Sequence, residues 1–156
     1  MTAAPERRPA PVPPPAHPRR IAFLGTPAIA VPTLEALHAA GFEIPVVITG
    51  VDKRRGRGAA TTPTPVKVAA EALGLQVAHD LDSALAADAD LGVVFAYGQM
   101  IRRPVLERLP MVNLHVSLLP RWRGAAPIER AILEGDERTG VCLMGVDETL
   151  DTGDVY

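Results

Sequence analysis

Asn113 and His115 stand two residues apart in the run VNLHVSLLP, where apolar Val112, Leu114 and Val116 alternate with Asn113, His115 and Ser117. In an extended strand, residues two apart share a face, so the amide and the imidazole are presented together. Central strands of parallel sheets are apolar on both faces, and a buried polar pair without partners is costly. The strand is cut short by SLLPRWRG, which leaves both side chains near its carboxyl end, where open α/β sheets keep their ligand clefts. An amide and an imidazole side by side can donate hydrogen bonds to a developing oxyanion. A histidine titrating at about pH 6.5 can also move a proton between an attacking and a leaving group. The pairing suits acyl transfer; the alternative is a satisfied structural pair. Of the other histidines, His17 lies in a proline-rich stretch, His38 in an amphipathic helix and His79 at the end of a short strand. Only His115 has an amide donor beside it at a predicted cleft.

A carboxylate would complete such a site, either to orient the imidazole or to collect a proton. The segment DETLDTGD offers Asp147, Asp151 and Asp154 just beyond the last strand. Residue types alone do not choose among the three, and a solvated acidic turn is the competing reading, since Asp, Thr and Gly are turn formers. The basic run DKRRGRG is a flexible cationic segment able to meet phosphates; a solvated surface loop has the same composition.

The elements that must position these groups follow from periodicity and from Gly and Pro punctuation. IAFLG, EIPVVITG, LQVAH, LGVVFAYG, MVNLH and TGVCLMGVD read as strands. Between them, TPAIAVPTLEALHAAG, TPVKVAAEALG, LDSALAAD, RPVLERL and APIERAILEG read as helices or helical turns, three of them followed by Gly41, Gly74 or Gly135. Pro32 inside the first helical window predicts a late start or a distorted first turn. The alternation of strand and helix predicts βαβ units: an α/β fold, Rossmann-like, three-layered, with a mostly parallel sheet.

Composition narrows the function class. The chain has 156 residues, 47% of them hydrophobic, and a net charge of -2, so any nucleic-acid contact must come from a local patch. A single cysteine, Cys142, rules out an internal disulfide, fits a cytoplasmic protein and reads as a small core residue. No apolar run approaches the roughly 18 residues of a membrane span. Residues 1–19 are rich in Pro and Arg, lack the apolar centre of a secretory signal, and predict a disordered tail. The dinucleotide fingerprint, the P-loop, metal-ligand spacing and the nucleophile elbow are all missing from the sequence.

NLHVSLLPRWRGAAPIERAI followed by GVDETLDTGDVY, together with FLGTP, GRG, TPVKVAAE and AYGQM, resembles the formyltransferases that use 10-formyltetrahydrofolate. The resemblance runs from about Arg20 to the end. RWRGAAPI matches the branch that acts on initiator methionyl-tRNA, whereas the branches acting on nucleotides or sugar amines diverge after SLLP. The resemblance implies the formyltransferase fold over residues 20–156, with 10-formyltetrahydrofolate as co-substrate and no metal. It implies that Asn113, His115 and Asp151 are catalytic, that Ser117, Leu118, Leu119 and Pro120 form the folate-binding turn, and that Phe95, Ala96 and Tyr97 line the pterin pocket. It places Arg57, in Gly56-Arg57-Gly58, against the tRNA acceptor end, with Arg121 and Arg123 adding charge nearby. Val116 stands where the family commonly has a small residue. Family members continue past LDTGD into further sheet and a tRNA-binding C-terminal domain. The expectation is therefore a monomeric catalytic domain, incomplete at its C-terminus, with a fraying LDTGD loop and weak or no turnover. An N-formyltransferase for a sugar amine or nucleotide, or an inactive folate- or RNA-binding fragment, is the alternative.

Overall fold

A computed structural model describes residues 12–54 and 61–156. The elements in chain order are β1 (Arg20–Gly25), a 3-10 turn (Ala28–Ala30), α1 (Val31–Ala39), β2 (Glu43–Ile48), β3 (Lys53–Arg54), β4 (Thr61–Thr62), α2 (Pro65–Ala72), β5 (Val77–Ala78), α3 (Leu81–Ala86), β6 (Leu91–Phe95), α4 (Arg103–Leu106), β7 (Met111–His115), α5 (Pro127–Leu133) and β8 (Cys142–Gly145). Among the described residues, β5-β2-β1-β6-β7-β8 form one six-stranded sheet, parallel except for β8, while β3 and β4 pair separately as an antiparallel ribbon. The order reverses beside β1: β2 and β5 extend one way, and β6, β7 and β8 the other. Ligand clefts of open sheets gather at the carboxyl ends near such a reversal.

The helix ends obey the punctuation. Pro32 sits in the first turn of α1, where its missing N–H costs nothing, and a 3-10 turn leads into the helix. Gly41, Gly74 and Gly135 adopt positive φ after α1, α2 and α5. Behind each, the next N–H reaches back to a carbonyl in the last turn: Phe42 to Leu37, Leu75 to Ala70 and Asp136 to Ala131. Thr64 caps α2, its Oγ1 accepting from the Lys67 N–H at 3.1 Å. Pro45 is tolerated inside β2 because the register with β1 slips there: Arg20 faces Glu43, but Ala22 faces Val46.

Alternation along the buried strands builds two cores. Ile21 and Phe23 of β1 point to one face with Leu34 of α1, Val66 and Ala70 of α2, and Val93 and Val112. Ala22 and Leu24 point to the other with Ala84 of α3, Val105 and Leu106 of α4, and Val94 and Met111. Fully buried Phe23, Ile21 and Leu34 each contribute about 1.5–3 kcal/mol of apolar burial. The sheet thus lies between α1 and α2 on one side and α3 and α4 on the other, the three layers expected. Residues 12–19 precede β1 without regular structure. The end of that stretch is tied down, because the Arg19 and Arg20 N–H groups both donate to Asp90 Oδ2 at 2.9 Å. Most of the expected tail, residues 1–11, lies outside the described residues. Among the described residues, no helix is long and apolar enough to cross a membrane.

Candidate active site

Met111, Asn113 and His115 share one face of β7, opposite Val112 and Leu114. Across the ladder Asn113 faces Val94 of β6 and Met144 of β8, and all three line one cavity of about 480 Å³. That volume suits a small-molecule ligand. The cavity opens at the carboxyl ends of β6 and β7, one strand beyond the reversal. Phe95, Ala96 and Tyr97 wall one side, Gly124 and Ala126 another, and Asp147, Leu150 and Asp151 come over from the loop after β8. The chain leaves β6 abruptly because Ala96 has φ 50, a left-handed turn that costs a non-glycine residue about 1–2 kcal/mol. Thr26, just past β1, steadies that turn by donating its hydroxyl to the Tyr97 carbonyl at 3.1 Å. Burial, and then the charge of Asp80, push the Tyr97 phenol above its ordinary pKa.

His115 is 6% exposed, and both its ring nitrogens have protein partners. Nε2 lies 2.8 Å from the Trp122 carbonyl oxygen. A carbonyl only accepts, so Nε2 carries a proton and donates. Nδ1 faces Asp151 Oδ2 at 3.5 Å, an ion pair when the imidazole is doubly protonated. The same Oδ2 accepts the Gly124 N–H at 2.8 Å, so this carboxylate ties the loop after β8 to the turn before α5. Asn113 differs: among the described residues its side-chain amide has no hydrogen-bond partner, and it lines the cavity. The donor most available to an incoming carbonyl oxygen is therefore the amide, with the imidazole held beside it.

Two loops hold these groups in place. In the first, Ser117 is fully buried and donates to the Arg121 carbonyl at 2.6 Å, closing the SLLPR turn on itself. Arg121 forks onto Asp136, Nε to Oδ2 at 2.8 Å and Nη2 to Oδ1 at 2.6 Å, and its guanidinium lies over the Trp122 ring at 4.3 Å from the centroid. The Trp122 indole N–H also donates to Asp136 Oδ2, at 2.6 Å. Arg121, then Trp122, hold the Asp136 carboxyl down at a pKa of about 2. In the second, Asp147 accepts from the Thr149 N–H at 2.9 Å and from the Thr149 and Thr152 hydroxyls, folding DETLDT into a closed turn. After Gly153 the chain comes back along β8: the Gly145 N–H donates to the Asp154 carbonyl at 2.8 Å, and Val155 bridges Met144. The loop expected to fray is thus paired with β8 on its far side.

Of the residues singled out from the sequence, Asn113, His115, Asp151, Phe95, Ala96 and Tyr97 line the one cavity. Ser117, Leu118, Leu119 and Pro120 do not; Leu118 is exposed, and Ser117 serves the turn. Arg57 lies outside the described residues, between β3 and β4. Arg121 pairs with Asp136 and its side chain stays 55% exposed; Arg123 is exposed as well. Val116 lines the cavity and also packs against the first core. Cys142 is half-buried in β8 rather than in the core. Among the described residues, no group of three or more His, Cys, Asp or Glu side chains is placed to hold a metal ion. The Trp122 carbonyl and the Gly124 N–H escaped notice in the sequence, since backbone groups carry no letter. The small run Gly124-Ala125-Ala126 was the available signal for a close backbone approach.

A mostly parallel sheet of this order, with an amide, an imidazole and a carboxylate around one cavity at its carboxyl edge, is a Rossmann-like α/β fold. The chain matches the family described as formyl transferase over residues 19–156, and it belongs to that family. It is 53% identical over 146 residues to a methionyl-tRNA formyltransferase of Synechococcus sp. (strain CC9605), covering 86% of this chain and 43% of the relative. It is 54% identical over 143 residues to that of Halorhodospira halophila, covering 86% and 46%. The chain thus spans about half the length of the curated relatives it matches. A glycinamide ribonucleotide transformylase 1 from Symbiobacterium toebii shares its fold, with a TM-score of 0.72 at 20% identity over 91% of this chain and 72% of that one. So does a sugar N-formyltransferase from a Shewanella species, with a TM-score of 0.62 at 17% identity over 87% and 54%.

Proposed function

We propose that this chain carries the formyl-transfer site of an enzyme that moves a formyl group from 10-formyltetrahydrofolate to the α-amine of methionine on initiator tRNA. The convergence of Asn113, His115 and Asp151 on one cavity carries the reading. The identity of about half to methionyl-tRNA formyltransferases supports the choice of amine. Phe95, Ala96 and Tyr97 form the wall against which a flat pterin ring would rest. The amine nitrogen attacks the formyl carbon, a C–N bond forms, and the carbonyl electron pair moves onto oxygen. That oxyanion is met by the Asn113 amide N–H, with the His115 ring held beside it by the Trp122 carbonyl and Asp151. The attacking amine yields its proton to the Asp151–His115 pair, and N10 receives a proton as its bond to the formyl carbon breaks. The products are formyl-methionyl-tRNA and tetrahydrofolate. Asp151 thus has two duties, holding the imidazole and taking part in proton removal.

The test is to offer 10-formyltetrahydrofolate to residues 1–156 with methionyl-tRNA, with glycinamide ribonucleotide and with an amino sugar in turn, and to follow the formylated product. Transfer to methionyl-tRNA that disappears in Asn113→Ala supports the reading. Transfer to another amine only, or folate binding by calorimetry with no transfer to any amine, overturns it.

A further inference from the structure

We infer that Asp136 is a positioning residue for His115, acting through Trp122; the inference rests on the reading of His115 as part of a formyl-transfer site. The chain of contacts is short. His115 Nε2 donates to the Trp122 carbonyl, and the Trp122 indole N–H donates to Asp136 Oδ2 at 2.6 Å. Arg121 locks the same carboxylate with two hydrogen bonds and covers the indole face. Trp122 is thereby fixed at its ring, on one face and at its carbonyl.

Two further observations say that this fixing matters. Trp122 has φ 59, a left-handed backbone that a bulky side chain adopts only where its surroundings impose it. That backbone is what aims the carbonyl at His115. Asp136 itself is rigidly held: it follows Gly135 at φ 71, and its own N–H returns to the Ala131 carbonyl at the end of α5. The helix end therefore sets the carboxylate, the carboxylate sets the indole, and the indole sets the carbonyl that keeps a proton on Nε2. Nδ1 is left facing Asp151. Without the brace, Trp122 can relax out of its left-handed conformation, and His115 loses the acceptor that fixes its tautomer and tilt.

The experiment reads the ring directly. In 15N-labelled residues 1–156, the His115 imidazole signals are assigned by their loss in His115→Gln. Their tautomer and the water-exchange rate of the Nε2 proton are then compared with those of Asp136→Ala, Asp136→Asn and Trp122→Phe. Asp136→Ala and Trp122→Phe are expected to raise that exchange rate about tenfold or more. Asp136→Asn keeps an acceptor for the indole and is expected to stay nearer the parent. In a transfer assay the first two variants should lose about a hundredfold in kcat with little change in KM for the folate. A purely structural Asp136 would lower the melting temperature and leave the ring signals of the folded protein as they were, and that result overturns the inference. If the ring signals respond but the parent protein transfers no formyl group, the brace stands and the proposed function falls.

Discussion

Gly153 of LDTGD is the residue at which a single methyl group should do most harm. A Cβ there would fall far inside the carbonyl oxygen of Gly145, which belongs to β8 and cannot retreat from its ladder with β7. The loop must therefore move, by about an ångström to reach an allowed contact. Its near attachments are the Gly145 N–H to the Asp154 carbonyl at 2.8 Å and the Tyr156 N–H to the Leu143 carbonyl at 2.9 Å. Two backbone hydrogen bonds at roughly 1 kcal/mol each set the stability loss of Gly153→Ala at about 2 kcal/mol. The loss in rate should be larger in effect. Asp151 sits two residues earlier, holding the Gly124 N–H at 2.8 Å and His115 Nδ1 at 3.5 Å. Moving it by an ångström should slow formyl transfer about a hundredfold. Urea unfolding gives the first quantity; single-turnover transfer from 10-formyltetrahydrofolate gives the second. A Gly153→Ala protein that matches the parent in both would refute the close approach, and with it the argument that this loop is held by backbone packing.

Asn113→Ala should cost about a hundredfold to a thousandfold in kcat while leaving the urea midpoint nearly unchanged, because the amide has no partner to lose among the described residues; a large drop in stability would show the amide to be structural. Asp136 is depressed to about 2 in the folded protein, below its ordinary value of about 4, so the stability it contributes is present above pH 4 and lost as pH falls through 2. Acid unfolding of Asp136→Asn should accordingly be shallower than the parent's between about pH 4 and pH 2, and equal slopes would contradict the brace. Thr64→Ala removes the cap of α2 and leaves the buried Thr49 hydroxyl without its 2.7 Å partner, so it should destabilise the protein by about 1–2 kcal/mol in urea titration.

The amino-acid sequence by itself determined the layers, the helix ends and the pairing of Asn113 with His115. These are local matters: a period of two puts residues 113 and 115 on one face in any strand, and Gly41, Gly74 and Gly135 stop helices through their own φ. The direction of β8 was not legible, because an edge strand of four residues pairs either way and its neighbour decides. Nor was the β3–β4 ribbon, two residues on each side. The choice among Asp147, Asp151 and Asp154 needed either a family resemblance or coordinates. All three have the same chemistry, and only the fold gives one of them the Thr hydroxyls, one His115 and Gly124, and one a backbone place beside Gly145. The same holds for Arg121 and Ser117. The family resemblance implied a nucleic acid for the one and a folate for the other; the fold gives the Arg121 guanidinium Asp136, fifteen residues away, and the Ser117 hydroxyl the Arg121 carbonyl, four residues away. Hydrogen-bond partners distant along the chain, and backbone groups that no letter records, are decided only when the chain has closed on itself.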